Sequence, residues 1–308
     1  MAAPTNTYQS TSAVGNREDL TDVISRISPS ETPFLSMIGT GKATNTLHEF
    51  QTQALAAPGD NAAPEGDDAT NNVVTPTVRL QNRTQISTKT VQISGTQESA
   101  DSAGRKSEMA YQMALKSAEL KTDIEYGLTQ NAVSAAGPRK SRGLVGWVDS
   151  ANASGGVNYV APNYTTNVAQ TDGTLRPFTE TLLKDVLQKC YVSGGNPNVI
   201  MLGPIQKQAF STFTGNSTRR VDAEDEKLYA SIDVYVSDFG TLKVVPNRIQ
   251  RARDVHVLES GKWKMAWYRP YFTQDLAKTG DSIRKQIICE YTLEAVNPKA
   301  NGIVADVQ

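Results

Sequence analysis

The stretch SEMAYQMALKSAELKTDIEYGLTQN, Ser107 to Asn131, decides the fold because it carries the strongest helical pattern in the chain. Its apolar residues recur at helical spacing along one stripe, Met109, Met113, Leu120, Ile124 and Leu128, with Ser117 in the remaining position. The other face carries Lys, Glu, Thr and Gln, so we expect a helix that packs on one side only. Ser107 and Glu108 suit its N-terminus. At about 1.5 Å per residue the helix would be roughly 37 Å long, which is the length of a strut.

Two strand-like segments precede this helix. Asn45 to Leu55 and Val78 to Gly95 flank a stretch dominated by Ala, Pro, Gly, Asp and Asn, Ala56 to Thr77. This pattern predicts one long hairpin with a flexible tip. The apolar phase reverses between Ile86 and Val91, so the second strand must bulge or bend there. A two-stranded hairpin is marginal in water, and we expect this one to need a neighbouring surface.

The N-terminal region predicts an arm followed by two short helices. Residues 1–14 show no usable periodicity and predict a flexible arm. Asn16 suits the start of a short amphipathic helix that ends before Pro29. A second short apolar piece begins at Ser30 and stops at Gly39 and Gly41.

The second half of the chain predicts a compact region of helices and strands followed by one long strand. Thr179 begins a helix that runs to Gly194. A buried strand, Val199 to Leu202, leads into another helix, and alternating strands follow. Ile283 to Ala295 places apolar residues on odd positions, which predicts a long strand with one buried face. We expect this strand and the long helix to share one layer, which makes the fold class α+β.

Composition excludes several classes of function. Lys and Arg number 31 against 32 Asp and Glu, so no global field favours nucleic acid or an anionic membrane, and any contact with DNA must be local. No segment approaches the roughly 18 apolar residues of a membrane span. The polar start, Met1 to Ser12, predicts no secretory signal, so we expect synthesis in the cytoplasm.

Residues suited to nucleotide chemistry are few. Gly39 to Lys42 is the nearest approach to a phosphate-binding loop. Such a loop needs glycine where Ser36 stands and Ser or Thr where Ala43 stands. We interpret the segment as a helix stop.

Metal and thiol chemistry are not indicated either. The two histidines, His48 and His256, have no ligands at metal spacing; we expect His48 to point outward from the hairpin and His256 to be a strand residue. Cys190 and Cys289 lie in apolar segments and are interpreted as small core residues. The sequence therefore predicts no catalytic, cofactor-binding or metal-binding residue, no cofactor and no enzymatic activity.

Runs of charged residues are the remaining candidates for a binding site. Basic clusters occur at Arg139 to Arg142, at Arg219-Arg220 and at Arg248 to Arg253. Each suits phosphate or an acidic neighbour, but short basic runs are usually ordinary surface. The acidic run Asp222 to Glu226 lacks the order of a calcium loop and is interpreted as a solvated loop, with a weak cation site as the lesser alternative.

The order of elements and several local segments resemble a known family. An arm, a short helix, a long hairpin, a one-sided long helix, an α/β region and a final long strand resemble the Hong-Kong-97-type capsid fold of tailed phages. The segments at Thr7 to Ser10, Val14 to Leu20, Ile27 to Leu35 and Leu47 to Thr52 are similar to the major capsid family of SU-ten-like podophages. The later half matches only in its order of elements.

The resemblance implies four structural parts. These are an N-terminal arm at residues 1–44, an extended hairpin loop at 45–95, a peripheral domain with a spine helix at 96–151 and 271–308, and an axial domain at 152–270. It also implies a major capsid protein that self-assembles into hexamers and pentamers of an icosahedral head enclosing double-stranded DNA. The implied partners are other copies of the chain, a portal, a separate scaffolding protein and packaged DNA held without sequence specificity, with no membrane.

Some relatives cross-link a hairpin lysine to a peripheral asparagine. Lys89 lies in the predicted hairpin, but the full lysine, asparagine and glutamate set is not matched, so no cross-link is predicted.

Three alternatives stay open. An encapsulin compartment uses the same fold, although the long hairpin tip and the phage-like N-terminal segments favour a capsid. A phage neck or tail protein is the second alternative. The third is a small-molecule enzyme built on the region after Thr179, for which no catalytic set is found.

Overall fold

The computed structural model describes residues 30–66, 68, 71–100, 106–213 and 234–308. The predicted arm at residues 1–14 and the helix that begins at Asn16 lie outside these ranges. So do the basic pair Arg219-Arg220 and the acidic run Asp222 to Glu226.

Helices and strands alternate irregularly along the described chain. The α-helices are α1 Pro33–Met37, α2 Gly95–Ser99, α3 Glu108–Thr129, α4 Glu180–Val192 and α5 Pro204–Ser211. The strands up to α4 are β1 Gly39–Lys42, β2 Leu47–Thr52, β3 Val78–Arg83, β4 Gln85–Ser94, β5 Ala135–Ala136, β6 Arg139–Lys140 and β7 Ala153–Ser154. The later strands are β8 Val199–Leu202, β9 Val234–Ser237, β10 Gly240–Pro246, β11 Val255–Leu258, β12 Trp263–Asp275, β13 Ser282–Ala295 and β14 Gly302–Val304.

Two larger sheets organise these elements. One has the strand order β1-β12-β13-β4, and the other has the order β7-β14-β11-β8-β10-β9. The pairs β2-β3 and β5-β6 form small two-stranded sheets. Helices and mixed sheets in one chain confirm the predicted α+β class.

The predicted long helix is present as α3. The Ser107 hydroxyl accepts a hydrogen bond from the Ala110 N–H and caps the first turn. The predicted stripe faces inward, with Leu120, Ile124 and Leu128 buried in a core that also contains Tyr291 of β13. α3 therefore covers one face of the four-stranded sheet, as expected for a one-sided helix.

The final long strand is present as β13. Its odd positions Ile287, Cys289, Tyr291, Leu293 and Ala295 are buried as predicted, but Glu290 and Thr292 on the opposite face are buried too, so the prediction of one buried face is wrong at these two positions. β13 lies between β12 and β4, so both of its edges are hydrogen-bonded. The strand forms the centre of the layer that α3 covers.

The prediction of one long hairpin is wrong for residues 85–94. β2 and β3 pair with each other from Leu47 opposite Arg83 to Thr52 opposite Val78. After Thr84 the chain leaves this ribbon, and β4 pairs antiparallel with β13 instead. The predicted interruption of the second segment exists, but it falls at Thr84, before the reversal of apolar phase. The change of partner gives β4 a neighbouring strand and the cover of α3, which an isolated ribbon lacks.

The segment interpreted as a helix stop has a second role. α1 ends at Met37, and Gly39–Lys42 then forms β1, parallel to β12. A Cβ on Gly41 would lie 3.8 Å from the Cα of Ala266, an ordinary van der Waals distance, so the spacing to β12 does not itself require glycine. The segment therefore ends α1 and supplies an edge strand of the four-stranded sheet.

The six-stranded sheet carries the second core. One face of α4, made of Leu183, Val186, Leu187 and Cys190, packs against this sheet. Val255 and Val257 of β11 meet this face from the sheet. No helix among the described residues is long and apolar enough to cross a membrane.

A buried carboxylate joins three separate parts of the chain. Glu125 of α3 is 0% exposed, and its two oxygens accept the N–H groups of Phe34 and Leu35, each at 2.8 Å. Asn247, after β10, donates its side-chain amide to the same carboxylate at 2.7 Å. Burial raises the pKa of Glu125 despite these three hydrogen bonds. Since Thr32 provides no side-chain cap, Glu125 satisfies the first N–H groups of α1 from another element.

Replacing Glu125 with Ala should destabilise the fold by about 3 kcal/mol, because two buried N–H groups and one amide lose their acceptor. Urea unfolding of the unassembled chain measures this cost. Lys121→Ala, on the exposed face of the same helix, is the matched control and should shift stability by less than about 0.5 kcal/mol. Equal stability of the two variants would show that the junction at Glu125 contributes nothing.

Candidate interaction surfaces

The first predicted basic cluster is used inside the protein. Arg139 binds the buried Glu290 at 2.8 Å. Arg142 is buried over the ring of Trp147, 4.5 Å from its centroid, and donates to the carbonyl oxygen of Tyr164 at 2.6 Å. Burial lowers the pKa of Arg142 to about 10. These two arginines hold the fold together and do not form an open phosphate-binding patch.

The cluster at Arg248 to Arg253 behaves in the same way. Arg251 donates to the buried Asp254 at 3.1 Å, and Arg253 donates to the buried Asp306 at 2.5 Å. Burial raises the pKa of Asp254 to about 6 even though Arg251 opposes this shift. Two of the three arginines in the cluster are therefore paired with buried carboxylates, whereas the sequence indicated ordinary surface.

The histidines and cysteines lie in four defined environments. His256 is fully buried, and burial lowers its pKa to about 3. The prediction that His48 points outward is wrong, because its Nε2 lies 3.1 Å from Glu294 of β13. Cys190 and Cys289 are buried, as predicted, and burial raises both thiol pKa values to about 12. Among the residues that the structure describes, no group of His, Cys, Asp and Glu suits a metal ion.

The base of the hairpin is anchored by an uncharged hydrogen-bond network. Asn82 of β3 is fully buried and donates to the carbonyl oxygen of Leu293 at 2.7 Å and to the Ser141 hydroxyl at 3.1 Å. Its side-chain oxygen accepts the N–H of Arg142 at 2.8 Å. The sequence gives no sign of this role, since a buried asparagine looks like any surface asparagine in a polar strand. The network fixes where the hairpin leaves the body of the protein.

The loop between the two hairpin strands, residues 53–77, is largely exposed in the part of the chain that the structure describes. Its apolar side chains Leu55, Val73 and Val74 are 96%, 94% and 86% exposed. Among the described residues, its hydrogen bonds join it only to itself and to Gln51. Large apolar side chains exposed to this degree in one loop indicate a surface that another molecule covers.

The same loop carries charge of a single sign. Its ionisable residues are all acidic, and the sequence has no Lys or Arg between Lys42 and Arg79. Acidic and exposed apolar side chains together suit a partner surface with an apolar floor and a basic rim.

Two further surfaces have apolar side chains in their lining. At the end of α4, Tyr191 and Val192 are 54% and 78% exposed, and Tyr191 stacks on Phe239 with ring centroids 4.8 Å apart. A groove of about 630 Å³ opens beside the first turns of α3, where Met109 and Ile283 form part of its lining. Among the described residues, neither surface contains a catalytic arrangement, and both suit contact with a macromolecule better than chemistry on a small substrate.

Comparison with known proteins adds independent information. The model of the family described as SU10 major capsid protein matches residues 3–308. The "Major capsid protein" of Escherichia phage Phieco32 is 28% identical, and the alignment covers 99% of this chain and 97% of that protein.

Solved structures share the fold at low sequence identity. The cyanophage A-1(L) capsid protein superposes with a TM-score of 0.68 at 13% identity, over 97% of this chain and 98% of that one. The holo-SrpI encapsulin complex of Synechococcus elongatus PCC 7942 gives 0.60 at 10% identity, over 98% and 96% of the two chains. The fold alone therefore does not separate a phage shell from an encapsulin, whereas the whole-length sequence match does.

Asn82→Ala should destabilise the hairpin base by about 2 to 3 kcal/mol, because it removes the partners of two buried backbone groups. Urea unfolding of the unassembled chain should report this loss. The neighbouring exposed residue supplies the control, since Gln81→Ala removes no buried hydrogen bond and should leave stability nearly unchanged. A stable Asn82→Ala variant would mean that the network does not hold the hairpin.

Proposed function

Because the chain belongs to the SU10 major capsid protein family, we propose that it assembles into the hexamers and pentamers of an icosahedral phage head that encloses double-stranded DNA. The protein is the major capsid protein of a tailed phage, a structural component of the virion shell. Solved capsid proteins with the same Hong-Kong-97-type fold support assembly into a closed shell of many copies.

The observation that carries the proposal is the unsupported loop at residues 53–77. A single chain gains nothing from holding Leu55, Val73 and Val74 in water. A shell subunit gains an interface when a neighbouring copy covers them. Binding distributed over several such surfaces is typical of permanent assemblies.

We propose that the chain has four structural parts. They are the arm at residues 1–44, the extended loop at 45–95, the peripheral domain at 96–151 and 271–308, and the axial domain at 152–270. Strand pairing departs from these bounds in three places: residues 85–94 and 263–270 pair with β13 of the proposed peripheral domain, and β14 pairs with β11 of the proposed axial domain.

Further partners belong to the same proposal. A portal and a separate scaffolding protein would be required to build a head with one opening, and the chain would be made in the cytoplasm of the host bacterium. Contact with packaged DNA would be non-specific and spread over the inner surface, because the described arginine clusters are largely paired internally. The buried groups also support a structural role, since neither cysteine has the exposure or low pKa of a nucleophile.

An encapsulin-type shell is the second candidate, and its support is the shared fold. The match to a phage capsid family over nearly the whole chain favours the phage head. The same match weighs against a neck or tail protein.

Deleting residues 56–77 should leave the subunit folded but stop shell formation, because the neighbour loses the loop that it covers. Sedimentation and negative-stain imaging of co-expressed capsid and scaffold should show shells for the natural chain and only capsomers or single subunits for the deletion. Circular dichroism and urea unfolding should match between the two. Normal shells from the deletion, or a natural chain that stays a 33.3 kDa monomer with scaffold present, would contradict the proposal.

Point variants sharpen this test without shortening the loop. Replacing Leu55, Val73 and Val74 together with Ser should weaken assembly, because it removes the apolar contacts alone. The control changes two exposed polar residues of the same loop, Asn71→Ser and Asn72→Ser, and should assemble normally.

A further inference from the structure

Three segments that are distant in the sequence meet at one charged cluster. They are residues 170–173, residues 251–254 and the C-terminal residues 305–308. Within ion-pair distance of one another the cluster holds three carboxylates and two guanidinium groups, those of Asp172, Asp254, Asp306, Arg251 and Arg253. The ion pairs among the described residues therefore leave one negative charge in excess. Because burying an unmatched charge is costly, the carboxylate that carries this excess matters for the fold.

Two of the three carboxylates are well supported. Asp306 accepts two backbone N–H groups, those of Gly156 and Gly173, at 3.1 and 2.9 Å, and one guanidinium at 2.5 Å. Asp172 is partly exposed and contacts both arginines of the cluster. The hydrogen bond from Arg251 holds the pKa of Asp172 below its ordinary range. Hydrogen bonds and ion pairs thus satisfy the charge on both side chains.

Asp254 is the carboxylate with the weakest support. Its side chain is 0% exposed, and it shares Arg251 with Asp172. Its other partner is the amide of Gln170, at 3.3 and 3.4 Å, which is beyond the usual hydrogen-bond length. Burial raises the pKa of Asp254 to about 6 against the opposing effect of Arg251. The excess charge of the cluster therefore falls on Asp254, and a proton on this side chain removes it.

The other ionisable groups beside the cluster keep one charge state in mild acid. Burial and the charge of Asp254 raise the pKa of Tyr159, so its hydroxyl stays neutral. His256 is fully buried, and burial lowers its pKa to about 3, so its ring stays neutral too. Arg176 lies near Asp306 and remains a cation, although burial lowers its pKa. These neighbours do not take up the proton in place of Asp254.

The cluster joins an exposed loop to the end of the chain. The loop at residues 156–174 is closed by a hydrogen bond of 2.9 Å from the Thr174 N–H to the Val157 carbonyl oxygen. It exposes three apolar side chains, Val157, Val160 and Val168. The C-terminal residues meet the cluster where the Val307 N–H donates to the Arg253 carbonyl oxygen at 3.0 Å. A change of charge at Asp254 therefore acts on the place where the loop and the C-terminal residues are held.

We propose that Asp254 is a proton-operated lock between the loop at residues 156–174 and the C-terminal residues 305–308. With a proton on Asp254, two negative charges face two positive ones in the cluster, and Arg251 can pair with Asp172 alone. Without this proton the excess negative charge stays in a buried site, and the contacts that join the three segments open more readily. The lock belongs to a single chain and does not depend on the proposed function.

The pH window follows from the direction of the shift. The pKa of Asp254 in the folded chain is about 6, whereas an aspartate in an unfolded chain titrates at about 4. Between these two values the folded state holds a proton that the unfolded state has released, so the proton stabilises the fold. This stabilisation is lost as the pH rises through about 6. The lock is therefore closed in mild acid and open above neutral pH.

Urea unfolding of unassembled subunits at pH 5 and pH 8 tests the lock. The reference is the Asp254→Asn variant, which carries no charge at this position at either pH. Relative to that variant, the unfolding equilibrium constant of the natural chain should fall about tenfold from pH 8 to pH 5. Taking this ratio removes the effect of all other titrating groups. Asp275→Asn, at an exposed carboxylate, is the matched control and should keep the tenfold change.

Hydrogen exchange of the same subunits locates the effect, after correction for the intrinsic pH dependence of exchange. The N–H groups of Gly173 and Val307 close the cluster. In the natural chain they should open up to about tenfold less often at pH 5 than at pH 8, and Asp254→Asn should lose this difference.

A ratio of unfolding constants that is the same at both pH values, or that changes in the opposite direction, would overturn the lock. So would equal opening of the Gly173 and Val307 N–H groups at pH 5 and pH 8 in the natural chain. If Asp254→Asn fails to fold, hydrogen exchange in the natural chain still decides the outcome.

Discussion

Burial of one stripe of α3 against β4 and β13 is the interaction on which the rest of the structure depends. A helix of this length with one apolar face is stable in water only when that face is covered. The strand that covers it, β13, also binds side chains from other parts of the chain. The Leu293 carbonyl oxygen accepts a hydrogen bond from Asn82, Glu290 pairs with Arg139, and Glu294 contacts His48. The helix–sheet layer is therefore both a core and a frame from which the other parts are held.

The layer of α3 and the four-stranded sheet, called the frame here, has its apolar face covered within one chain. The apolar side chains of the hairpin loop at residues 53–77 are not covered in this way. Buried polar side chains hold the elements that leave this frame: Glu125 holds the start of α1, and Asn82 holds the hairpin. Beyond these anchors, apolar side chains extend into water with no partner in the described chain. A rigid frame that presents unsupported extensions is what a shell requires, because each copy supplies the surface that the extension of the next copy needs.

Periodicity in the sequence predicts α3 and β13, but it does not predict the strand partners or the buried polar contacts that connect them to the rest of the chain. The apolar stripe of α3 and the odd positions of β13 are visible because burial along a regular element repeats in the sequence. The sequence does not predict the split of the hairpin at Thr84, because the pattern reports which side of a strand is buried and not which strand is its neighbour. It does not reveal the roles of Glu125 and Asn82 either, since a buried polar residue carries the same letter as an exposed one. The outward orientation predicted for His48 is wrong because its partner, Glu294, is far away in the sequence.

The central claim is that α3 and its sheet are stable within one chain, whereas the loop at residues 53–77 needs a neighbouring copy. The most direct test compares hydrogen exchange in separate subunits with hydrogen exchange in assembled particles. The N–H groups of α3 should be protected equally in both, because the frame is complete in one chain. Those of residues 53–77 should exchange at nearly unprotected rates in subunits and become strongly protected in particles. Protection of the loop already in the separate subunit, or no change on assembly, would contradict the account.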